Sequence, residues 1–569
     1  MAAGRKHYRG GHEVGIRTGC TPRGDVLQGE LNDAIFAANF GLLVKGEAPA
    51  VYGKPTLFFQ NTHPTTSLKR ICTSVFGRLA NASEAGAVLR LSTGFGGGKT
   101  HTLMALWHLA ENITNTAMGT DLVPPAGRPA KVRVIGIDAE GGGYPVFARH
   151  EGMEARSLAA ELFYLLGGAS ALKAMGSANQ TAASPDIEAI KAVLPNEPLL
   201  ILLDELVLYM DKLTEQELGN FIGFLRALMT VVVSRPQTVL VVTDPAQQPA
   251  NARQTAALNQ LANVLQQQTG RTATVFEPIG TETAQVIVRR LFETVAPAAA
   301  GKASAEYHAL YERVAGNMPT LVPKQAVTIE YAERLRACYP LHPRLLDTAE
   351  NRLRVLPDYN LSRGTLRLFA RLIRDMWDSG EDPELITAGD IDWTSARMQG
   401  DLLQRLDREK FRAAVAADVQ QHASELDGGP NGIHRRVATA LLLESLPLEA
   451  NSGLDPSEIT LAVLRTDEAG NEPAEALDRL AHTCWHIYPM PGTAAGYQFR
   501  YEPNILKRIE ERAVAIPRAD ALDRLKAEVQ NRLPVPSLAR RHGRRRRRPC
   551  VTRLTYSWRL LKTKRWQSW

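Results

Sequence analysis

Between residues 87 and 279, five apolar runs stand out against a mixed background, at 87–92, 132–138, 199–204, 238–243 and 274–279. Each has strand length, and none alternates apolar with polar positions. That is how a strand covered on both faces reads. Between the runs, apolar positions recur at helical spacing, as over 101–112 and 217–233. Strands alternating with helices predict an α/β fold, a parallel sheet with helices on both faces.

Residues 168–196 are rich in Ala, Ser and Gly and read as a surface insertion. From 281 to about 425 the spacing is helical throughout. A small separate domain is expected next. It has a helix over 434–446, a second helix behind the cap Asp455-Pro456-Ser457-Glu458, a third over 471–483, and strands at 484–490 and 497–501. Asp caps, Pro takes the first helical position and Glu reaches back. Three helices and a hairpin make a winged-helix pattern. Its third helix carries three acids and one Arg, which argues for protein packing or a lid role over DNA. The expected organisation is an N-terminal segment (1–80), a nucleotide-binding core (81–280), a helical lid (281–425), a winged helix (430–515) and a basic tail (530–569).

Composition changes this picture in one place. The chain is 44% hydrophobic and 22% charged, ordinary for a globular protein. Its net charge of +7 comes from the end, where 13 of the 67 Lys and Arg lie after Glu528 with no acid among them. Residues 1–528 carry −6. The basic balance therefore says nothing about nucleic acid binding by the body of the chain. The tail also holds Arg544 to Arg548 in a run, with Trp558, Trp566 and Trp569. Two explanations stay open for it: a basic nucleic-acid-binding tail, or sequence altered by truncation or a frame shift near residue 535. Either predicts disorder. No signal peptide is read at the start and no apolar stretch of membrane-spanning length is read within. The five cysteines have no metal-ligand or redox spacing, and a reducing cytoplasm is expected.

The strongest chemical signal is Thr93-Gly94-Phe95-Gly96-Gly97-Gly98-Lys99-Thr100, between the first strand and the helix that follows. Glycines let backbone N–H groups curl around phosphate oxygens, and the helix N-terminus favours the same charge. Gly94, Gly96, Gly97, Gly98, Lys99, Thr100 and His101 are the expected nucleotide-binding residues. Lys99 would reach the β- and γ-phosphates and Thr100 would hold Mg²⁺. A Gly-rich turn is the competing reading, made weak by the strand–loop–helix context.

The third strand ends in Asp204-Glu205. Asp204 is the expected second Mg²⁺ ligand and Glu205 the carboxylate that orients the attacking water. Two solvated acids at a strand end is the alternative. Thr243, closing the fourth strand, stands where ring-type ATPases carry a polar residue sensing the γ-phosphate. Arg271, before the fifth strand, stands where they carry an arginine finger. Arg363 is a candidate lid arginine, with Arg367 as rival. Each of these competes with an ordinary strand-end or surface role, and Arg289-Arg290 read as a solvated helix face.

The sequence resembles a bacterial family of large AAA+-like P-loop ATPases described as a domain of unknown function. Its members are encoded beside DNA methyltransferases in phage-defence or restriction-like islands. The resemblance rests on Cys20-Thr21-Pro22-Arg23-Gly24-Asp25-Val26-Leu27, Phe58-Phe59 with Thr62, the glycine loop through His101-Thr102, and Leu203-Asp204-Glu205-Leu206. It continues with Tyr339-Pro340-Leu341-His342-Pro343, Ser362-Arg363-Gly364 with Leu366-Arg367-Leu368, and Glu502-Pro503-Asn504. It covers roughly residues 15–515. The family also carries Thr before the glycine loop, and its members are usually longer, so a shortened chain is expected. The resemblance implies ATP and Mg²⁺ as cofactors, an ATP-driven role in defence or DNA modification, and partners among further copies, a DNA methyltransferase or other defence proteins. DNA is a possible partner and a membrane is not expected.

Overall fold

The computed structural model describes residues 15–28, 31, 33–80, 86–92, 98–243, 251–268, 274–276, 282–359, 361–429, 432–448, 452–490 and 496–532. Five strands form one parallel sheet: β1 (Val88–Leu91), β2 (Arg133–Asp138), β3 (Leu199–Asp204), β4 (Thr238–Thr243) and β5 (Thr274–Phe276). Their spatial order is β2-β3-β4-β1-β5. All five predicted strands occur. Residues 277–279 of the predicted fifth run lie outside the described residues.

Side chains alternate across the sheet, which separates two cores. Leu89, Leu91, Leu200, Leu202, Val239 and Val241 face α1 (Thr66–Ala80) and α2 (Lys99–Glu111). Val88, Leu199, Ile201, Leu203, Leu240 and Val242 face the opposite core. That core is filled from α3 (Leu158–Ala174), α4 (Leu206–Lys212), α5 (Glu215–Ser234) and α6 (Ala252–Gln268). Burial on both faces explains why the strands read as unbroken apolar runs. The connection from β1 crosses to the far edge at β2, and the later ones step back. The helix after β1 therefore packs on one face and those after β2, β3 and β4 on the other.

Two expectations meet the fold here. By length and composition alone α5 qualifies to cross a membrane, although the sequence reading finds no such stretch. In the fold it is amphipathic, with Phe221, Phe224, Leu225, Leu228 and Val232 buried against the sheet. Residues 168–196 lie mostly at the surface, as read, and are anchored to the core at a few positions. Gly168, at φ +65°, breaks α3, and Leu172, Ile190 and Leu194 pack into the core on that side of the sheet.

The rest of the compact unit ending at Ile505 is helical and shares one core, running from Ile16 to Phe499. Its helices include α7 (Thr283–Leu291), α8 (Pro297–Asn317), α9 (Leu361–Ser379), α10 (Ile433–Ser445), α11 (Pro456–Val463) and α12 (Glu472–Thr483). Strands Ile487–Pro489 and Tyr497–Phe499 pair antiparallel. The Asp455–Glu458 capping box forms as predicted. The three helices and hairpin have no core of their own, because α10 is buried from Arg436 to Ser445 inside the common one. The Cys20–Leu27 stretch joins the same region. Cys20–Pro22 pairs with Phe292–Val295, and Arg374 Nε donates to the Val26 carbonyl at 2.7 Å. Gly364 has a steric reason. A Cβ there would lie 1.8 Å from the Tyr359 carbonyl oxygen.

Beyond Ile505, helix Arg518–Arg532 ends the described chain. The basic tail lies outside the described residues.

Candidate functional site

At the carboxyl edge of the sheet, β1, β3 and β4 deliver polar groups to one place. Gly98 caps α2 in the left-handed region, at φ +73°, a conformation glycine adopts without cost. Lys99 opens the helix and is buried. Asp204 ends β3 at 3% exposure, and Thr243 ends β4 fully buried. The Thr243 hydroxyl donates to Asp204 Oδ1 at 2.5 Å and accepts the Glu205 amide at 3.2 Å. Asp204 also accepts a hydrogen bond from the Thr100 side chain. Lys99, Thr100, Asp204, Glu205 and Thr243, read separately from the sequence, are thus drawn to the same edge.

Burial pushes the Asp204 carboxyl up to about 6. Bonds from Thr243, Thr100 and the Glu205 amide work against the rise, and the charge of Asp138, level with it on β2, adds to it. A buried carboxylate beside a second carboxylate, within reach of a threonine hydroxyl, is short of positive charge. That donor set fits a hard divalent cation held by Thr100 and Asp204. Glu205 holds φ +52° and ψ +40°, a left-handed conformation that costs a non-glycine residue energy. Its amide bond to Thr243 offsets part of that cost, and the turn lets α4 start directly behind the acidic pair.

His101 departs from expectation. Its ring stacks on Phe58 at 4.5 Å, and its Nε2 lies 2.8 Å from Thr62 Oγ1. Burial, then the charges of Arg290 and His108, lower its pKa to about 4, so it is neutral at pH 7. The side chain is a packing group and not a phosphate ligand. Its partners come from helix Pro55–Asn61 and the residue after it, so Phe58, Thr62 and His101 of the family pattern form one unit. His108, two turns further along the same face of α2, bonds the Tyr52 carbonyl at 2.7 Å. Phe58 and Thr62 entered the sequence reading only through resemblance, and Tyr52, His108 and Asp138 were missed. A helical i, i+7 pair of histidines was the available signal.

The arginines also sort themselves. Arg290 is buried, not solvated. It pairs with Asp25 at 2.8 Å and lies over the Phe36 ring at 5.1 Å. Arg367 is buried beside Asp401 at 3.5 Å, which removes it as rival to Arg363. Arg363 is exposed on α9, and its charge acts on the Tyr52 hydroxyl. Gly94, Gly96, Gly97 and Arg271 lie outside the described residues. His342 of the Tyr-Pro-Leu-His-Pro motif is structural. Buried, it caps helix Pro343–Asp347 and bonds Tyr311 at 2.8 Å.

Fold and site together define a mixed α/β protein with a parallel sheet that gathers one lysine, two threonines and two acids at its carboxyl edge. The chain belongs to the DUF499 family: residues 18–274 match the DUF499 N-terminal domain and residues 279–465 the DUF499 second domain. No curated protein and no solved structure matches it.

Proposed function

We propose that the chain is an AAA+-like P-loop ATPase that binds ATP with Mg²⁺ at the carboxyl edge of the sheet and hydrolyses it. The observation that carries this reading is the convergence of Thr100 and Thr243 on the buried Asp204, beside Lys99 at the start of α2. The topology supports it, because ligands of parallel α/β sheets bind outside the carboxyl ends of strands where the connections change direction. Here that strand is β1, and the glycine loop follows it.

In this reading the start of α2 faces the phosphates, and the Lys99 ammonium neutralises charge on the β- and γ-phosphates. Thr100 and Asp204 hold Mg²⁺, which when bound offsets phosphate charge. Glu205 orients the attacking water. Thr243 keeps Asp204 and Glu205 in register through its one hydroxyl. Arg271 and Arg363 are the candidate arginines for a neighbouring subunit and for the lid.

The ATP cycle drives a motor or switch in a phage-defence or restriction-like complex, in the cytoplasm, with further copies, a DNA methyltransferase, other defence proteins or DNA as partners. This part rests on the resemblance. The second reading is a nucleotide-binding scaffold that recruits a methyltransferase or nuclease and hydrolyses little. The left-handed Glu205 favours the first, since strain of this kind collects at working sites. Equilibrium binding of a fluorescent ATP analogue to wild type and Lys99→Ala tests the site. Binding should be lost in the variant, and unchanged affinity sinks the assignment.

A further inference from the structure

A second buried cluster of chemically capable side chains lies in the helical region, and nothing in the nucleotide reading uses it. Asp418 and His422 stand four residues apart on the π-helical stretch Val415–His422. Cys484 and His486 flank Trp485, between α12 and the first hairpin strand. All four are buried, at 0% for Asp418 and Cys484.

The donor atoms are close. A carboxylate oxygen of Asp418, a ring nitrogen of His422 and the thiol of Cys484 lie within 4.8 Å of one another. His422 Nδ1 is 2.8 Å from Asp418 Oδ1, and His486 Nδ1 is 2.8 Å from Asp418 Oδ2. The Nε2 of His486 is buried without a hydrogen-bond partner, so that ring is not held at both ends. The amides of Trp485 and His486 also donate to Asp418, at 3.0 and 2.7 Å. Those amide bonds fix the helix against the turn and bring the four side chains together.

The geometry points to a zinc site with Asp418, His422 and Cys484 as its protein ligands, and His486 bracing the other oxygen of Asp418. Tetrahedral zinc, with bonds of about 2.0–2.3 Å, spaces its ligand atoms about 3.3–3.8 Å apart. Drawing the thiol in by about an ångström and opening the imidazole–carboxylate contacts slightly meets that spacing. A mixed N, O and S set suits a borderline-soft cation. Charge supports zinc as well. One carboxylate and one thiolate balance a divalent ion, and the neutral His422 imidazole adds a third donor, leaving a neutral centre. A neutral centre is what a fully buried site tolerates. Its three protein ligands come from the helix and from the turn before the hairpin, so the ion fastens one to the other. The competing arrangement is a hydrogen-bonded knot of Asp418 with the two imidazoles, metal-free.

The full chain, tag-free and purified without chelator, decides between them by elemental analysis. About one zinc per chain is expected, with a melting temperature that falls on chelation and recovers on adding Zn²⁺. Replacing zinc by Co²⁺ should give a thiolate-to-cobalt charge-transfer band in wild type, a readout that needs no variant. Cys484→Ser and His422→Ala should abolish it, while Cys338→Ser, also at a buried cysteine, should keep it. With Mg²⁺ kept in excess, ATP-analogue binding to wild type should be the same with and without a zinc-selective chelator, which separates this site from the nucleotide site. Metal-free chain that takes up neither ion, or a cobalt band that survives in Cys484→Ser, overturns the zinc site and leaves the hydrogen-bonded knot.

Discussion

At Thr243 one buried hydroxyl serves both acids of the site, donating to Asp204 and accepting the Glu205 amide. The two carboxylates therefore have separable roles. Glu205→Gln keeps the backbone turn and removes the charge proposed to orient water. Nucleotide affinity should be retained and turnover should fall by about 10²-fold or more, measured as phosphate release under saturating ATP. Wild-type turnover would move the role to another residue. Asp204 makes a pH prediction. Its folded pKa, about 6, lies above the ordinary carboxylate range. In the nucleotide-free chain it therefore contributes stability that is full at low pH and lost as pH rises through about 6. Mg²⁺ competes with the same proton, so apparent Mg²⁺ affinity in the presence of ATP should drop about tenfold per pH unit below 6. Titrations between pH 5 and 8 test this, and Asp204→Asn should flatten the profile.

Among elements, α2 carries the start of the proposed phosphate site and is braced from the N-terminal side by Phe58, Thr62 and Tyr52 through His101 and His108. Phe58 is fully buried, so Phe58→Ala should cost about 3–5 kcal/mol of stability. Chemical denaturation should read that loss, and a loss under 1 kcal/mol would remove the brace. In the helical region α10 brings Glu444, 1% exposed, to Arg344 at 2.7 Å, Arg352 at 3.1 Å and Thr348 at 2.5 Å. Removing one partner of a buried ion pair leaves the others uncompensated. Glu444→Ala should destabilise by about 3–5 kcal/mol, and Arg344→Met in the same chain should recover part of it. Strictly additive losses in that double-mutant cycle would refute the coupling.

On the scale of the whole molecule, the sheet has two cores of its own and the helical region a third, which also takes in Ile16 to Phe36. From Ile16 the described chain thus runs through the helical region, crosses to brace the sheet through residues 40–80, and returns after β5. The basic tail belongs to this scale because its charge outweighs that of the rest. Residues 1–530 and the full chain should be compared for DNA affinity across a salt series. A native basic tail should give a steep salt dependence that disappears on its removal, and equal affinities would deny it a DNA-binding role.

Strand positions and helix caps were legible because they depend on local order: β3 reads as an apolar run, and Asp455 to Glu458 form the capping box within one turn. The acidic pair and Gly98-Lys99-Thr100 were legible as well, since turns at strand ends impose short, fixed spacings. Other features depend on residues far apart in the chain. His101 turns to Phe58 and Thr62 because that helix happens to cover α2, and Arg290 is buried because Asp25 returns to meet it. The winged-helix pattern looked separate since its periodicity is complete, yet α10 lies in a core that reaches back to Ile16. Cys484 carried no signal among five scattered cysteines. Only the packing of the 415–422 stretch against the turn before the hairpin sets Asp418 and His422 beside it. Local chemistry is written in neighbouring residues, whereas burial and partnership are decided by which distant segments the fold stacks together.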